Sequence, residues 1–279
     1  MSKKQIKTLL SYVAAVLLLC ALTIASLNIG SIQASFGEIV GAMFGHGSEN
    51  ADIIIDLRLP RILVALLGGT AIAVSGVLLQ AVLRNPLADP GIIGVSSGAS
   101  LVAVILAAFL PGLSYFTPLL SCFGGLLAFA LVYSLSWKSG LSPIRIILVG
   151  VAVSSMFTGI MSAFDSGTGS SYAGAASIVD GNITLKSWSD VYTLLAYVAI
   201  GLILAMLVAN RCNLLALSDQ TATSLGVNVN KSRIAISLIG VVLASIATSI
   251  MGPISFLGLI VPHVARLLVG SNHKVLIPY

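Results

Sequence analysis

LRLPRILVALLGGTAIAVSGVLLQAVLRNPLADPGIIGVSSGAS, residues Leu57–Ser100, decides how the rest of the chain is read. Two arginines, Arg58 and Arg61, precede an uncharged run from Ile62 to Leu83. At about 1.5 Å per residue, that run is long enough to cross a bilayer as one helix. It stops at Arg84-Asn85-Pro86, breaks again at Asp89-Pro90-Gly91, and gives way to another apolar run. Proline removes a backbone donor and clashes with the preceding turn, so these positions end a helix. The stretch encodes a membrane helix, a tight turn and a second membrane helix.

The whole composition agrees. Hydrophobic residues make up 57% of the 279, charged residues 8%, far from the roughly 25% charged share of a soluble domain. Mean hydropathy is +1.07. The fold class is therefore all-α, a polytopic membrane protein, with residues 1–279 read as a single transmembrane domain. The 27 glycines fit helices packed at short range in lipid. A net charge of +5 invites a nucleic-acid reading, but no basic patch interleaves with aromatics.

Apolar segments run Leu9–Asn28, Ile62–Leu83, Ile92–Leu110, Thr117–Trp137, Ile144–Phe164, Val191–Ala209, Ile234–Met251 and Phe256–Val269. Starting the N-terminus in the cytoplasm puts Lys3, Lys4, Lys7, Arg84, Lys138, Arg145, Arg211, Lys231, Arg233, Arg266 and Lys274 inside. Only Arg58, Arg61 and Lys186 then fall outside, which satisfies the positive-inside rule. Of the acidic residues, Asp89 and Asp219 fall inside. The first segment reads as an uncleaved helix, because it exceeds the usual signal core of about 7–15 residues and no A-x-A-like site follows. Cys20, Cys122 and Cys212 read as small hydrophobes.

Motifs for chemistry are absent. There is no phosphate-binding G-x-x-x-x-G-K-[ST], no G-x-S-x-G elbow, and no metal-spaced Cys/His cluster; His46, His263 and His273 are scattered. No catalytic residue and no metal ligand is assigned. No Asp, Glu, Lys or Arg lies in the middle of the first seven segments, where an ion-coupled carrier usually needs one. A sodium site of backbone carbonyls escapes that argument, so an ion-coupled secondary carrier stays open beside a conduit driven by another polypeptide.

Pro86 to Gly91 followed by Ile92-Ile93 has the spacing of Pro253 to Gly258 followed by Leu259-Ile260. The charges put these breaks on opposite faces, the pattern of an inverted-topology repeat. A chance match of this length is the plain alternative.

LRLPR, SGxxxQ (Ser75–Gln80), NPLADP and GxxxGA (Gly94–Ala99) together resemble the iron-chelate, haem and cobalamin permease family of bacterial ABC importers (FecCD type). The resemblance implies a multi-helix permease with such a repeat, of which about eight of an expected ten helices are visible. It also implies a chain truncated at its C-terminus by about 50 residues, at about 20 per span. A fragment unable to function is one rival reading. Implied partners are two cytoplasmic ATPase subunits, an extracellular substrate-binding lipoprotein, a second permease copy and the bilayer. ATP would be used by the ATPase, with no cofactor on this chain. KSWSDVYTL (Lys186–Leu194) and VPHVARLLVGSNHKVLIP (Val261–Pro278) look most like haem permeases of Gram-positive bacteria, so haem is the favoured cargo and a ferric siderophore the next.

Arg58 and Arg61, at i and i+3 with Pro60 placed to start the helix between them, put two guanidinium groups on one face. Lipid phosphates are one partner for such a pair; in the resembled family they receive glutamates of the binding protein. The loop from Asn210 to Arg233 contains LSDQTATSLG, in which Ser218 or Asp219 caps a short helix and Gly226 ends it. Leu214, Leu215 and Leu217 supply its apolar face. By resemblance, Leu217, Asp219, Ala222, Leu225 and Gly226 form the coupling element against the ATPase. Asn85, Leu87, Ser142 and Pro143 are turn residues that the resemblance makes a cytoplasmic gate. Ala65, Gly69 and Ala73 form a small-xxx-small row for helix packing. Ser166–Asn182 reads as a loop, or by resemblance a short outer-face helix.

Overall fold

The computed structural model describes residues 3–29, 35–43, 46, 48–136, 143–168, 181–184 and 186–279. In chain order the helices are α1 (Lys3–Asn28), α2 (Phe36–Met43), α3 (Glu49–Leu83), α4 (Val95–Phe109), a 3-10 turn (Pro111–Phe116), α5 (Thr117–Ser136), α6 (Pro143–Thr168), α7 (Trp188–Leu215), α8 (Asp219–Ser224), α9 (Val229–Met251), α10 (Leu257–Val269) and α11 (His273–Leu276). No strand occurs among the described residues. Among those residues six helices are long and apolar enough to cross a membrane, α1, α3, α6, α7, α9 and the 3-10 turn continued by α5. The two shorter apolar helices, α4 and α10, each follow a non-helical, proline-containing segment.

Capping side chains explain where the helices exceed their apolar cores. α3 starts at Glu49, where Ser48 Oγ accepts from the Ala51 amide, so Pro60 lies inside the helix and does not open it. Glu49 and Asp52 complement the positive end of the same first turn. The 35 residues of α3 span about 52 Å at about 1.5 Å each, more than the hydrocarbon thickness of about 30 Å. Asp190 accepts from the Ser187 amide (2.9 Å), a capping-box arrangement that starts α7 ahead of Val191. Asn228 accepts from the Lys231 amide and likewise starts α9 ahead of Ile234.

α3 and α9 form the centre, with α5, α7 and α4 packed around them. Ile72, Leu78, Leu79, Leu194, Ile236 and Leu243 are fully buried there. α1 lies at the edge, its apolar window unburied. Gly98 on α4 and Gly124 on α5 each leave room only for the other's carbonyl, which fixes that pair at backbone contact.

Polar and aromatic contacts mark the two ends of the bundle. At one, Tyr12 donates to the Val275 carbonyl (2.6 Å) and its ring meets Tyr279 edge-on. The same end holds Arg84, Asp219 and Arg233. At the other, Arg58 donates to the Leu27 carbonyl (2.8 Å) at the far end of α1.

Candidate coupling and gating site

The two breaks reach into the bundle from opposite ends and meet. Gly181 faces the Pro253 carbonyl at one end, whereas Arg84 begins the other break at the end carrying α8. Between them, Gly91 lies against Ser255 and Ile254, and Gly258 packs on Asp89, Pro90 and Ile72. Gly76 presents no side chain at the point where the Gly258 carbonyl approaches α3. One turn on, Gln80 Nε2 donates to that carbonyl and to Ala88 O, both at 3.1 Å. The spacing in SGxxxQ thus becomes a gap followed by a hydrogen bond on one face of the helix.

Asp89 is fully buried at this junction. Its Oδ1 accepts from the Gly91 (2.8 Å) and Ile92 (3.2 Å) amides, and its Oδ2 lies over Gly258 in the first turn of α10. Backbone donors and a helix N-terminus suit a carboxylate away from water. Sequence reasoning placed Asp89 on the cytoplasmic side, in a proline-marked break, and gave it no role. The one signal was an acid between two prolines in a break whose counterpart carries Gly258. The turn it holds also delays α4, which starts at Val95 and not at Ile92.

The α7–α8–α9 connection is built as its sequence suggests. Ser218 Oγ accepts from the Thr221 amide (3.2 Å). Gly226 has φ +80, its amide bonds Thr223 O (2.9 Å), and the Val227 amide bonds Ala222 O (3.1 Å). These two bonds close the helix as a Schellman motif. Ala222 is buried, while Leu217 and Leu225 are 40% and 60% exposed. Leu215 differs from expectation: it is buried in the last turn of α7 and belongs to the core.

Asp219 turns to its own chain. Its Oδ1 lies 2.6 Å from Arg84 Nη2, at the end of α3, and 3.0 Å from Arg233 Nη2, in α9. Arg84 also donates through Nε to Leu215 O (2.6 Å) and through Nη2 to Leu217 O. Beside it, Asn85 is buried and its Oδ1 accepts from the Leu87 amide (3.0 Å), leaving Leu87 exposed. Ser142 lies outside the described residues, as do residues 169–180 of the Ser166–Asn182 stretch; Pro143 begins α6, and its side chain is not among those described.

A cavity of about 440 Å³ opens at this end beside Gln80, Asn85, Asn213, Arg266 and His273. Asn213 Oδ1 accepts from the His273 amide (2.9 Å) and lies 2.7 Å from its Nδ1. Burial, with the Arg266 charge nearby, pushes the His273 imidazole down to about 4. At the opposite end a cavity of about 640 Å³ is bordered by Arg58, Arg61, Ile62, Ala65 and Ile183. Arg61 is exposed, and Arg58 spends one nitrogen on Leu27.

Within the row Ala65, Gly69, Ala73, a side chain at Gly69 would meet open space among the described residues. The tight approaches come from Gly68, against Met251, and Gly76, against Gly258. Among the described residues, no group of three His, Cys, Asp or Glu converges to hold a metal.

Residues 17–279 match the family described as the FecCD transport family. The chain is 42% identical over 273 residues to the Staphylococcus aureus protein named a probable heme-iron transport system permease protein, IsdF, in strains MSSA476 and Newman. Each match covers 98% of this chain and 83% of the relative. Among solved structures, one described as a metal-chelate type ABC transporter in an inward-facing conformation superposes with a TM-score of 0.76. It is 32% identical, and the match covers 94% of this chain and 82% of that one.

Proposed function

The chain belongs to the FecCD transport family, and on that premise we propose how it works and what it carries. It is the transmembrane permease subunit of an ATP-driven importer for an iron compound, a transporter component and not an enzyme. The family implies an ATPase and a substrate-binding partner.

The cargo in this proposal is haem, supported by the likeness to IsdF along nearly the whole chain. Two copies of the permease enclose the pathway about a two-fold axis, and two ATPase subunits bind and hydrolyse the ATP. The end carrying α8 faces the cytoplasm, supported by its Lys and Arg excess. The binding protein docks carboxylates on Arg58 and Arg61, for which the forked guanidinium is suited. Leu217 and Leu225 seat α8 in the ATPase, and Asn85 and Leu87 gate the exit together with Ser142 and Pro143.

One observation carries the coupling part of this reading. A short, doubly capped helix stands at one end of the bundle, with apolar side chains outward and its acid tied to two transmembrane helices. Cargo is tested by measuring ATP hydrolysis of the complete complex with its binding protein and either haem or a ferric siderophore. Stimulation by haem is expected; stimulation by the siderophore alone would reassign the cargo.

A further inference from the structure

Arg84 joins the coupling segment to the gate through one residue. Its backbone is the C-cap of α3, in the left-handed region at φ 48 and ψ 38. Among the described residues only Phe256 shares a positive φ without being glycine. Left-handed backbone is unfavourable for a side chain with a Cβ, and glycine is the usual residue at such a helix end. Something must recommend arginine here. Its guanidinium reaches Leu215 O, Leu217 O and the Asp219 carboxylate, all in the connection around the start of α8. The next residue, Asn85, folds the gate turn by accepting from the Leu87 amide, and the Asn85 amide itself bonds back to Gln80 O (3.2 Å).

The ion pair gives little reason for arginine on stability grounds, since its side chains are 34% and 51% exposed and such pairs contribute little. The forked geometry gives a better one. A planar guanidinium holds three oxygens in a fixed relation, which a lysine point charge does not. Displacing α8 therefore displaces the Arg84 side chain, and with it the backbone from which the gate turn springs.

Resting on the permease reading above, we infer that Arg84 is the positioning residue that carries movement of α8 into the gate turn Asn85–Leu87, through its fork on Leu215, Leu217 and Asp219. Asp219 is on this account an internal anchor and not a contact for the ATPase.

The test uses the complete complex in liposomes and reads cargo taken up per ATP hydrolysed. Arg84→Gly separates the two roles of the residue. Glycine suits the left-handed cap, so a residue that only caps α3 would give a variant as stable and as coupled as the wild type. A residue that links α8 to the gate gives a variant that melts no lower and co-purifies with the ATPase, yet takes up about tenfold less cargo per ATP. Arg84→Lys, which keeps the charge and loses the fork, falls between the two and serves if the glycine variant does not assemble. Wild-type uptake per ATP in both variants overturns the inference, and so does loss of ATPase binding by Arg84→Lys. Absence of ATP-driven uptake by the wild type would instead count against the permease reading.

Discussion

Gly69 and Gly76 lie on one helix and meet different surroundings. A methyl group at Gly76 runs into the Gly258 carbonyl, a backbone atom with nowhere to go, whereas at Gly69 it meets open space. Gly76→Ala is expected to cost about 1–3 kcal/mol, the usual range for overpacking, and to lower the melting temperature in detergent. Gly69→Ala should leave it unchanged or gain up to about 1 kcal/mol of helix propensity. Sequence spacing picks out the row Ala65, Gly69 and Ala73 on α3, whereas the close approaches seen within the chain fall at Gly68 and Gly76. Adjacent small residues look alike until the partner backbone is known. Gln80 was legible only as part of a motif, because its two acceptors, Ala88 and Gly258, come from separate breaks. Gln80→Leu should remove both bonds and cost about 1–3 kcal/mol by stranding buried carbonyls. His273 sets a pH dependence. The imidazole binds a proton near 6.5 when unfolded and only near about 4 when folded. The unfolded state therefore holds more protons between those values, and stability falls as pH drops through that window. Melting curves from pH 7 to 4 should show this slope in the wild type and a shallower one in His273→Asn.

Helices were legible where their apolar runs were long and less so at their ends. All the apolar segments became helices, because a bilayer leaves the backbone few other ways to satisfy its polar groups. Their starts moved wherever a polar cap lay upstream, as Ser48, Ser187 and Asn228 show. Caps carry no hydrophobic signal, so a reading by hydropathy passes over them. The exception was α8, where the cap and the terminating glycine were themselves the signal and both formed as read. Gly226 adopts φ +80, so Gly226→Ala should cost about 1–2 kcal/mol within that element. Hydrogen exchange at the Thr223–Val227 amides should accelerate accordingly, while the amides of α9 should not change. Asp89 was the plain failure at this scale. Its value as a clamp depends on α10 arriving from far along the chain, which no local pattern encodes.

Over the whole molecule, Arg84, Asp219 and Arg233 gather at one end of the bundle and Arg58 lies at the other, with Asp89 buried in the interior. The pairing of the two breaks was visible as spacing, and the structure adds that they touch in the interior. The paired arginines lie at the end opposite α8, with Arg61 exposed and Arg58 partly committed to α1. Arg61→Glu should therefore abolish stimulation of ATP hydrolysis by the binding protein while leaving the melting temperature within about 1 °C of wild type, as for other exposed sites. The central claim is that an apolar bundle without its own engine is driven from the α8 end. Its most direct test is haem accumulation in liposomes holding the permease, its ATPase and its binding protein. Accumulation that needs hydrolysable ATP and ignores imposed proton or sodium gradients is the predicted result. Accumulation by the permease alone under such a gradient, with no ATPase present, would contradict it.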